Sequence, residues 1–353
     1  MIDRAVVRRA FDRPREFTSS PLYRALSRTV VDDERLLDLA SRGTAGQYPT
    51  FLFFGAIHLM LLAGVDHPLA RFYPSVVAGA APPDGAGPAL VSFCTAYEER
   101  LSELISTRLV QTNHVQRALG LRIGLAAIAR DTSTPLHLIE VGASAGLNLR
   151  FDRYGYRIAG RAFGDPTSGV QIVADAYGPT PVPDLDVLPA VASRSGVDLH
   201  PIDPRNPDAR AWLEALIWPE NRHQRALLAA ALRVVDAHPV TIHPGDAIDV
   251  LPVLADSLPV GEPRIVFHSA TRLHVPADRR PAFDDAILAC GRTGSLWWLS
   301  VEDAPDSTVN PARSGTALKV RAPDGDTTTI AVLDGHLGWV QMLPGSAPGV
   351  TSG

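Results

Sequence analysis

At 353 residues the chain exceeds what one hydrophobic core usually serves, so one large α/β domain with an appended subdomain, or two domains, is expected. Hydrophobic residues at 46% and charged residues at 20% exclude a disordered chain, and a net charge of −5 gives no basic footprint for nucleic acid or anionic lipid. Cys94 and Cys290 lie far apart without Cys/His spacing, which argues against a disulfide framework and a zinc site.

No metal is expected. The charged start, residues 1–13, lacks the apolar run of a signal peptide, and the apolar residues 51–65 are short for a membrane span. A cytoplasmic protein with a small-molecule substrate follows, without nucleic-acid or membrane partners and with room for a partner subunit or a second copy of itself.

Apolar residues at three- and four-residue steps predict helices over 4–17, 20–27, 32–40, 50–63, 90–113 and 115–130. Residues 1–130 therefore read as a helical N-terminal subdomain. After Thr134-Pro135, residues 136–141 predict a short apolar strand entering a glycine turn, with a helical segment from near Ala145. Residues 154–175 look like a hairpin, 179–189 like a proline-rich loop and 197–202 like a strand. Helices are expected over 208–217 and 221–237.

The alternation then becomes regular, with strands at 240–243, 264–268 and 295–301 and helices at 247–256 and 278–290. A hairpin over 317–322 and 327–333 and a strand at 339–343 follow. Such alternation predicts an α/β fold over 131–344, a doubly wound, mostly parallel sheet with a C-terminal antiparallel hairpin. Residues 345–353 read as a loose tail.

The segment with chemical content is Glu140-Val141-Gly142-Ala143-Ser144-Ala145-Gly146-Leu147-Asn148-Leu149. Gly142-x-Ser144-x-Gly146 fits the serine nucleophile elbow, with His336 late enough in the chain to complete a triad. The same residues after Glu140 fit the glycine loop with which class I methyltransferases hold S-adenosylmethionine. Chain order favours the cofactor loop, because this strand is the first of the sheet and a hydrolase serine follows several strands. A plain tight turn between strand and helix remains the bland alternative. Serine hydrolysis is the least favoured chemistry.

Downstream, Gly245-Asp246-Ala247 follows a short strand and suits adenine recognition, although Asp246 equally suits a helix N-cap. Asp203 stands where a second strand would present an acid to ribose hydroxyls. Pro201 and Pro204 flank it, and its distance from Gly146 exceeds the usual spacing of about twenty residues.

With these segments on the page, the chain resembles the bacterial proteins grouped as domain of unknown function 2332. The resemblance is carried by Thr107-Arg108-Leu109-Val110-Gln111-Thr112-Asn113, by residues 140–149 and by Asp152-Arg153-Tyr154-Gly155-Tyr156. His67-Pro68-Leu69, Phe72-Tyr73-Pro74-Ser75, Pro201-Ile202-Asp203-Pro204, Leu216-Ile217-Trp218-Pro219-Glu220 and His268-Ser269 are similar too. It implies a class I methyltransferase-like sheet with a helical N-terminal region, and it fixes no reaction. Two departures stand out: His114 replaces an expected acid, and Ser144 occupies the middle glycine of Gly-x-Gly-x-Gly.

A helix over 108–117 is expected to roof the cleft, with Gln111, His114 and Arg117 on one face and Asn113 beside it. There Arg117 would hold an oxyanion and His114 would act as a neutral base, unless it is an ordinary surface histidine. His268, Ser269 and Glu302 close the next strands, and Asp152 and Tyr154 are further expected substrate contacts. His268, Arg272 and His274 suggest either an anion site or a solvated loop.

Three functions compete. A methyltransferase would bind S-adenosylmethionine through Glu140, Gly142, Ser144, Gly146, Asn148, Asp203 and Asp246, with His114, His268 or Glu302 as base. A cofactor-free enzyme of specialised metabolism would promote an intramolecular displacement or elimination, for example sulfate loss closing a small nitrogen ring. A non-catalytic sensor or scaffold subunit would use the same cleft without chemistry.

Overall fold

The computed structural model describes residues 1–13, 17–132, 134–303, 315–335 and 337–344, with Asp303 described by its backbone alone. His336 and the tail over 345–353 lie outside the described residues. The chain divides into two compact units, Met1–Thr112 with Arg205–Ala226, and Asn113–Pro204 with Leu227–Gly353.

The first unit is helical, with helices Arg4–Phe11, Pro21–Asp32, Glu34–Ala40, Pro49–Leu62, Ala86–Ala96, Glu98–Thr107 and Pro207–Ala215. Their starts are chemically specified: Asp3, Ser20 and Asp33 each accept first-turn amides, and Pro21 and Pro49 stand at first helical positions. Pro49–Leu62 is apolar around its whole circumference and buried, as a central helix must be. Phe11, Tyr23, Phe53 and Phe54 pack against one another there, with Tyr23 stacked on Phe54 at 4.3 Å between ring centroids. Among the described residues no helix is long and apolar enough to cross a membrane.

Two expected helices are shorter. The first stops at Phe11, where Pro14 ahead disfavours continuation. The helix expected over 90–113 is two helices, broken at Tyr97 and ended at Thr107, with Arg108 extended at φ −84 and ψ 151. Tertiary partners take the groups a longer helix would need. Gln47 accepts the Val110 amide, Trp212 donates to Leu109 O, and Arg108 reaches both carboxylate oxygens of Asp208.

The second unit is built on one sheet. Its strands are β1 Leu136–Val141, β2 Gly155–Ile158, β3 Arg161–Gly164, β4 Gln171–Tyr177, β5 Val191–Asp198, β6 Thr241–Pro244, β7 Arg264–Ser269, β8 Leu296–Asp303, β9 Gly315–Arg321, β10 Thr327–Asp334 and β11 Trp339–Met342. Among the described residues their order is β3-β2-β4-β11-β10-β9-β8-β7-β1-β5-β6. The run β6-β5-β1-β7-β8 is parallel, and β8 to β11 meander antiparallel, with β9 and β10 forming the C-terminal hairpin. The fold is thus mixed α/β with a large, mostly parallel sheet.

After β1 the chain visits β2, β3 and β4 at the far edge, comes back to β5 beside β1, builds outward to β6, then crosses to β7 and β8 on the other side of β1. That reversal falls at β1, and in open α/β sheets the crevice outside the carboxyl ends of the strands at such a point is the general location of ligand sites. All six β1 residues are buried.

Three local differences from expectation have physical causes. The strand expected over 197–202 is Val191–Asp198 and ends four residues earlier. The segment after the glycine turn is a short 3-10 stretch, Asn148–Arg153, rather than an α-helix. Its carbonyls are captured from outside, Leu147 O by the Tyr154 hydroxyl at 2.6 Å and Phe151 O by the Tyr156 hydroxyl at 2.7 Å. Finally, residues 113–130 lie in the second unit. Helix Ala118–Ile128 rests on β8 through Gly120 and Gly124, where an added Cβ would stand 2.8 Å from Val301 Cγ2 and 2.7 Å from Leu299 Cδ1.

That close approach is testable. Gly124→Val should lower unfolding stability by about 1–3 kcal/mol, the usual cost of overpacking, seen as a lower urea midpoint at unchanged slope. An unchanged midpoint would mean that the helix does not rest on β8.

Candidate functional site

At the end of β1 the chain turns through Gly142 (φ +73), Ser144 (φ +50) and Gly146 (φ +72). A side chain on Gly142 would collide with Thr271 Oγ1, and one on Gly146 with Val240 Cγ2, so conformation and space both demand glycine. Ser144 is an L residue in the left-handed region, a strain on the order of 1 kcal/mol. Three bonds hold it there. Its amide donates to Asp198 Oδ2 at 2.8 Å, its carbonyl accepts from Ile202 N at 3.1 Å, and Asn113 Nδ2 donates to its hydroxyl oxygen at 2.8 Å.

Asp198 is the residue that sequence reasoning missed. It ends β5 beside β1 and is 9% exposed. Its second oxygen accepts the His200 amide at 2.8 Å, and its backbone carbonyl accepts the Gly245 amide at 2.9 Å. Its signal in sequence is an acid closing a strand, but the polar residues of β5 carry no apolar alternation to mark where that strand ends. Asp203, proposed for that role, lies five positions beyond the strand end and is exposed.

Beneath the turn, Glu140 is 2% exposed and accepts from Asn148 Nδ2 at 2.7 Å. Glu140 Oε2 and Asn148 Oδ1 are buried without a protein partner. Burial pushes the Glu140 carboxyl up to about 8 against the Asn148 hydrogen bond, with the Asp198 charge adding to the rise and the Arg117 charge opposing it. Near neutral pH it is therefore an uncharged acid able to donate as well as accept.

On the other side, Trp298 Nε1 donates to His268 Nε2 at 2.9 Å, and His268 Nδ1 donates to Glu302 Oε1 at 2.6 Å. The same oxygen accepts the Thr271 and Arg272 amides, each at 3.0 Å. Burial opposes ionisation of Glu302, but the bond to His268 and the two amides outweigh it and hold the carboxyl below its ordinary range. Thr271 then donates to Val141 O at 3.2 Å and fills the space above Gly142. His268 is fully buried with both ring nitrogens engaged. His268 and Glu302, expected as catalytic groups, are hydrogen-bonded to each other, and Glu302 also holds the 271–272 amides. Ser269 is buried at 8% exposure.

Other expected residues fall as follows. Residues 108–114 are not helical, and His114 (φ −86, ψ 99) precedes the short 3-10 turn Val115–Arg117, so Gln111, His114 and Arg117 share no helical face. Gln111 belongs to the first unit, and His114 and Arg117 to the second. Arg117 acts electrostatically on both Glu140 and His274. For His274, burial lowers the pKa, Glu302 opposes and Arg117 reinforces.

Asp246 is the N-cap of helix Ala247–Asp256 and pairs with Arg279 at 2.9 Å. Tyr154 is fully buried and braces the turn through Leu147 O. Asp152 pairs with Arg194 at 2.9 Å. Tyr154 and Asp152 therefore support the loop from behind. Arg272 forms two bonds to Asp284, at 2.8 and 2.7 Å.

Chemically, the end of β1 offers two orphaned acceptors below the turn and a carboxylate at the neighbouring strand end. Glu140 supplies a test. From its ordinary 4.5 to about 8 the folded protein keeps a proton that the unfolded chain has released. Stability should therefore fall as pH rises through that window, by up to about 1.4 kcal/mol per unit. Urea titrations should show Glu140→Gln gaining on the parent protein as pH rises; a pH-independent difference would contradict the assignment.

A family model described as "Uncharacterized protein conserved in bacteria (DUF2332)" matches residues 8–342. A search of curated proteins returned no match. The match covers nearly the whole chain, both helical region and sheet, and the protein therefore belongs to the DUF2332 family of bacterial proteins.

Proposed function

We propose that the protein is a class I methyltransferase-like enzyme that binds S-adenosylmethionine across the ends of β1, β5 and β6 and acts on a small polar metabolite. One observation carries this reading. Three neighbouring parallel strands, in register through Val141↔Val197 and Asp198↔Pro244, end in the glycine turn, in Asp198 and in Gly245-Asp246-Ala247. These termini lie in the order that an amino-acid moiety, a ribose and an adenine would require.

The residues fit the group. The orphaned Glu140 Oε2 and Asn148 Oδ1 suit an ammonium, which needs acceptors. Asp198, in place of Asp203, would take the ribose hydroxyls through the lone pairs that its bonds to the Ser144 and His200 amides leave. Asp246 is committed to its cap and to Arg279, so adenine would meet the Ala247 amide, which as a first-turn donor has no partner within its helix. When bound, the cofactor supplies an electrophilic methyl group. Of the three expected bases, His268 and Glu302 are committed to each other, and His114 is assigned to removing the proton from the polar nucleophile.

A second reading rests on Ser144. Its side chain stands at the middle of the loop, tied to Asn113, and narrows the approach to the glycines. With Arg117 acting on the same region, a cofactor-free displacement or elimination of an anionic leaving group is the competing chemistry.

Calorimetric titration of the full chain with S-adenosylmethionine and S-adenosylhomocysteine separates the two. The first reading expects saturable heat for both ligands, affinity about tenfold weaker or more in Asp198→Asn, and tighter binding in Ser144→Gly. No heat at millimolar ligand, with an intact thermal melt, would discard the cofactor and leave the second reading.

A further inference from the structure

At the opposite end of β1 from the glycine turn, three polar side chains form a chain of their own. Glu262 Oε2 lies 2.6 Å from His137 Nε2, and His137 Nδ1 lies 2.7 Å from Ser193 Oγ. The carboxylate takes the hydrogen on Nε2, so Nδ1 presents a lone pair that accepts the Ser193 hydroxyl hydrogen. The three residues come from neighbouring strands: the second residue of β1, the third of β5 and the residue two before β7.

A backbone irregularity serves this contact. The pairing of β1 with β5 passes from Leu136↔Val191 to His137↔Ser193, so Ala192 is skipped. An extra residue of this kind re-aims the side chain that follows it and is frequent beside active sites. Access is open as well. β6 pairs with β5 only from Ser195 onward, Ala192 is exposed, Ser193 is half-buried and the Glu262 side chain is 47% exposed.

A second serine–histidine contact shows what is distinctive. In the first unit Ser75 Oγ lies 2.8 Å from His58 Nε2, but a backbone carbonyl, Ala215 O, stands where the acid would be. Burial drives the His58 imidazole down to about 3. That pair cannot take up a proton at neutral pH. The pair on β1 and β5 has the carboxylate that His58 lacks; its His137 is buried at 6% exposure, and it meets solvent through half-buried Ser193 and exposed Glu262.

The geometry points to a second catalytic centre, with Ser193 as nucleophile and His137 as its general base, acting on small carboxylic esters that reach the amino end of the sheet from solvent. Glu262 is the positioning residue that fixes the imidazole tautomer. Ser193 Oγ forms a bond to the acyl carbon as its proton passes to His137 Nδ1. The carbonyl re-forms as the bond to the alcohol oxygen breaks, and His137 gives that oxygen the proton. Water, deprotonated by the same nitrogen, then cleaves the acyl–Ser193 ester to release the acid and restore the hydroxyl. Nothing in this centre depends on the crevice at the other end of β1.

The test treats the full chain with an alkyl fluorophosphonate, which Ser193 would attack with loss of fluoride, and follows p-nitrophenyl acetate hydrolysis in parallel. An adduct mapped to Ser193 is expected, absent in Ser193→Ala, and formed about a hundredfold more slowly or worse in His137→Gln. Glu262→Gln should lower kcat with little change in KM. A Ser193→Cys variant should alkylate readily with iodoacetamide, which tests access independently of activation. No adduct at Ser193 in a protein with an intact melt, or ester hydrolysis undiminished in Ser193→Ala, would overturn the proposal.

Discussion

The carboxylate of Asp198 accepts the amide of Ser144 with one oxygen and that of His200 with the other, while its own carbonyl accepts the amide of Gly245. One buried residue, through its carboxylate and its backbone carbonyl, thereby joins the ends of β1, β5 and β6. Removing a carboxylate from water is costly unless hydrogen bonds replace hydration, and charge-assisted bonds from backbone amides are among the stronger ones available. They also stabilise a serine in a backbone region it would otherwise avoid. The shape of the turn over 142–146 therefore depends on an acid more than fifty residues away in sequence.

The opposite wall is fixed by different means. Trp298, His268 and Glu302 form a hydrogen-bonded row that runs from within the sheet to the 271–272 amides, and Thr271 transmits it to Val141 and Gly142. The two walls hold the turn between them. Binding sites that must place a ligand accurately are built in this manner, with the contacting groups held by a supporting layer of satisfied hydrogen bonds.

Much of this was legible in sequence where one local rule governs. Helix Ala247–Asp256 and strand Arg264–Ser269 sit close to where periodicity puts them, and Asp246 caps the former as its identity suggests. The hairpin expected over 154–175 is present as β2 and β3, joined at Ala159-Gly160, both with positive φ. What escaped were features decided by distant partners. The helix end at Thr107 is set by Gln47, Asp208 and Trp212, none of them near in sequence. Strand β5 is obscured by the polar run Ser193-Arg194-Ser195, in which Ser193 bonds to His137 and Arg194 pairs with Asp152 only once the strands are assembled. His268 looked catalytic because a histidine at a strand end usually faces solvent; its commitment to Trp298 and Glu302 exists only once β7 and β8 pair.

The protonated state of Glu140 has a consequence for any cation that settles on its orphaned oxygen. Such a ligand would favour the ionised carboxylate and expel the proton the acid has been holding. A positive charge enters as another departs, so the floor of the crevice carries the same net charge filled as empty. Occupancy would then be coupled to the acidity of the medium, and the heat of association would include the ionisation enthalpy of whichever buffer collects the proton.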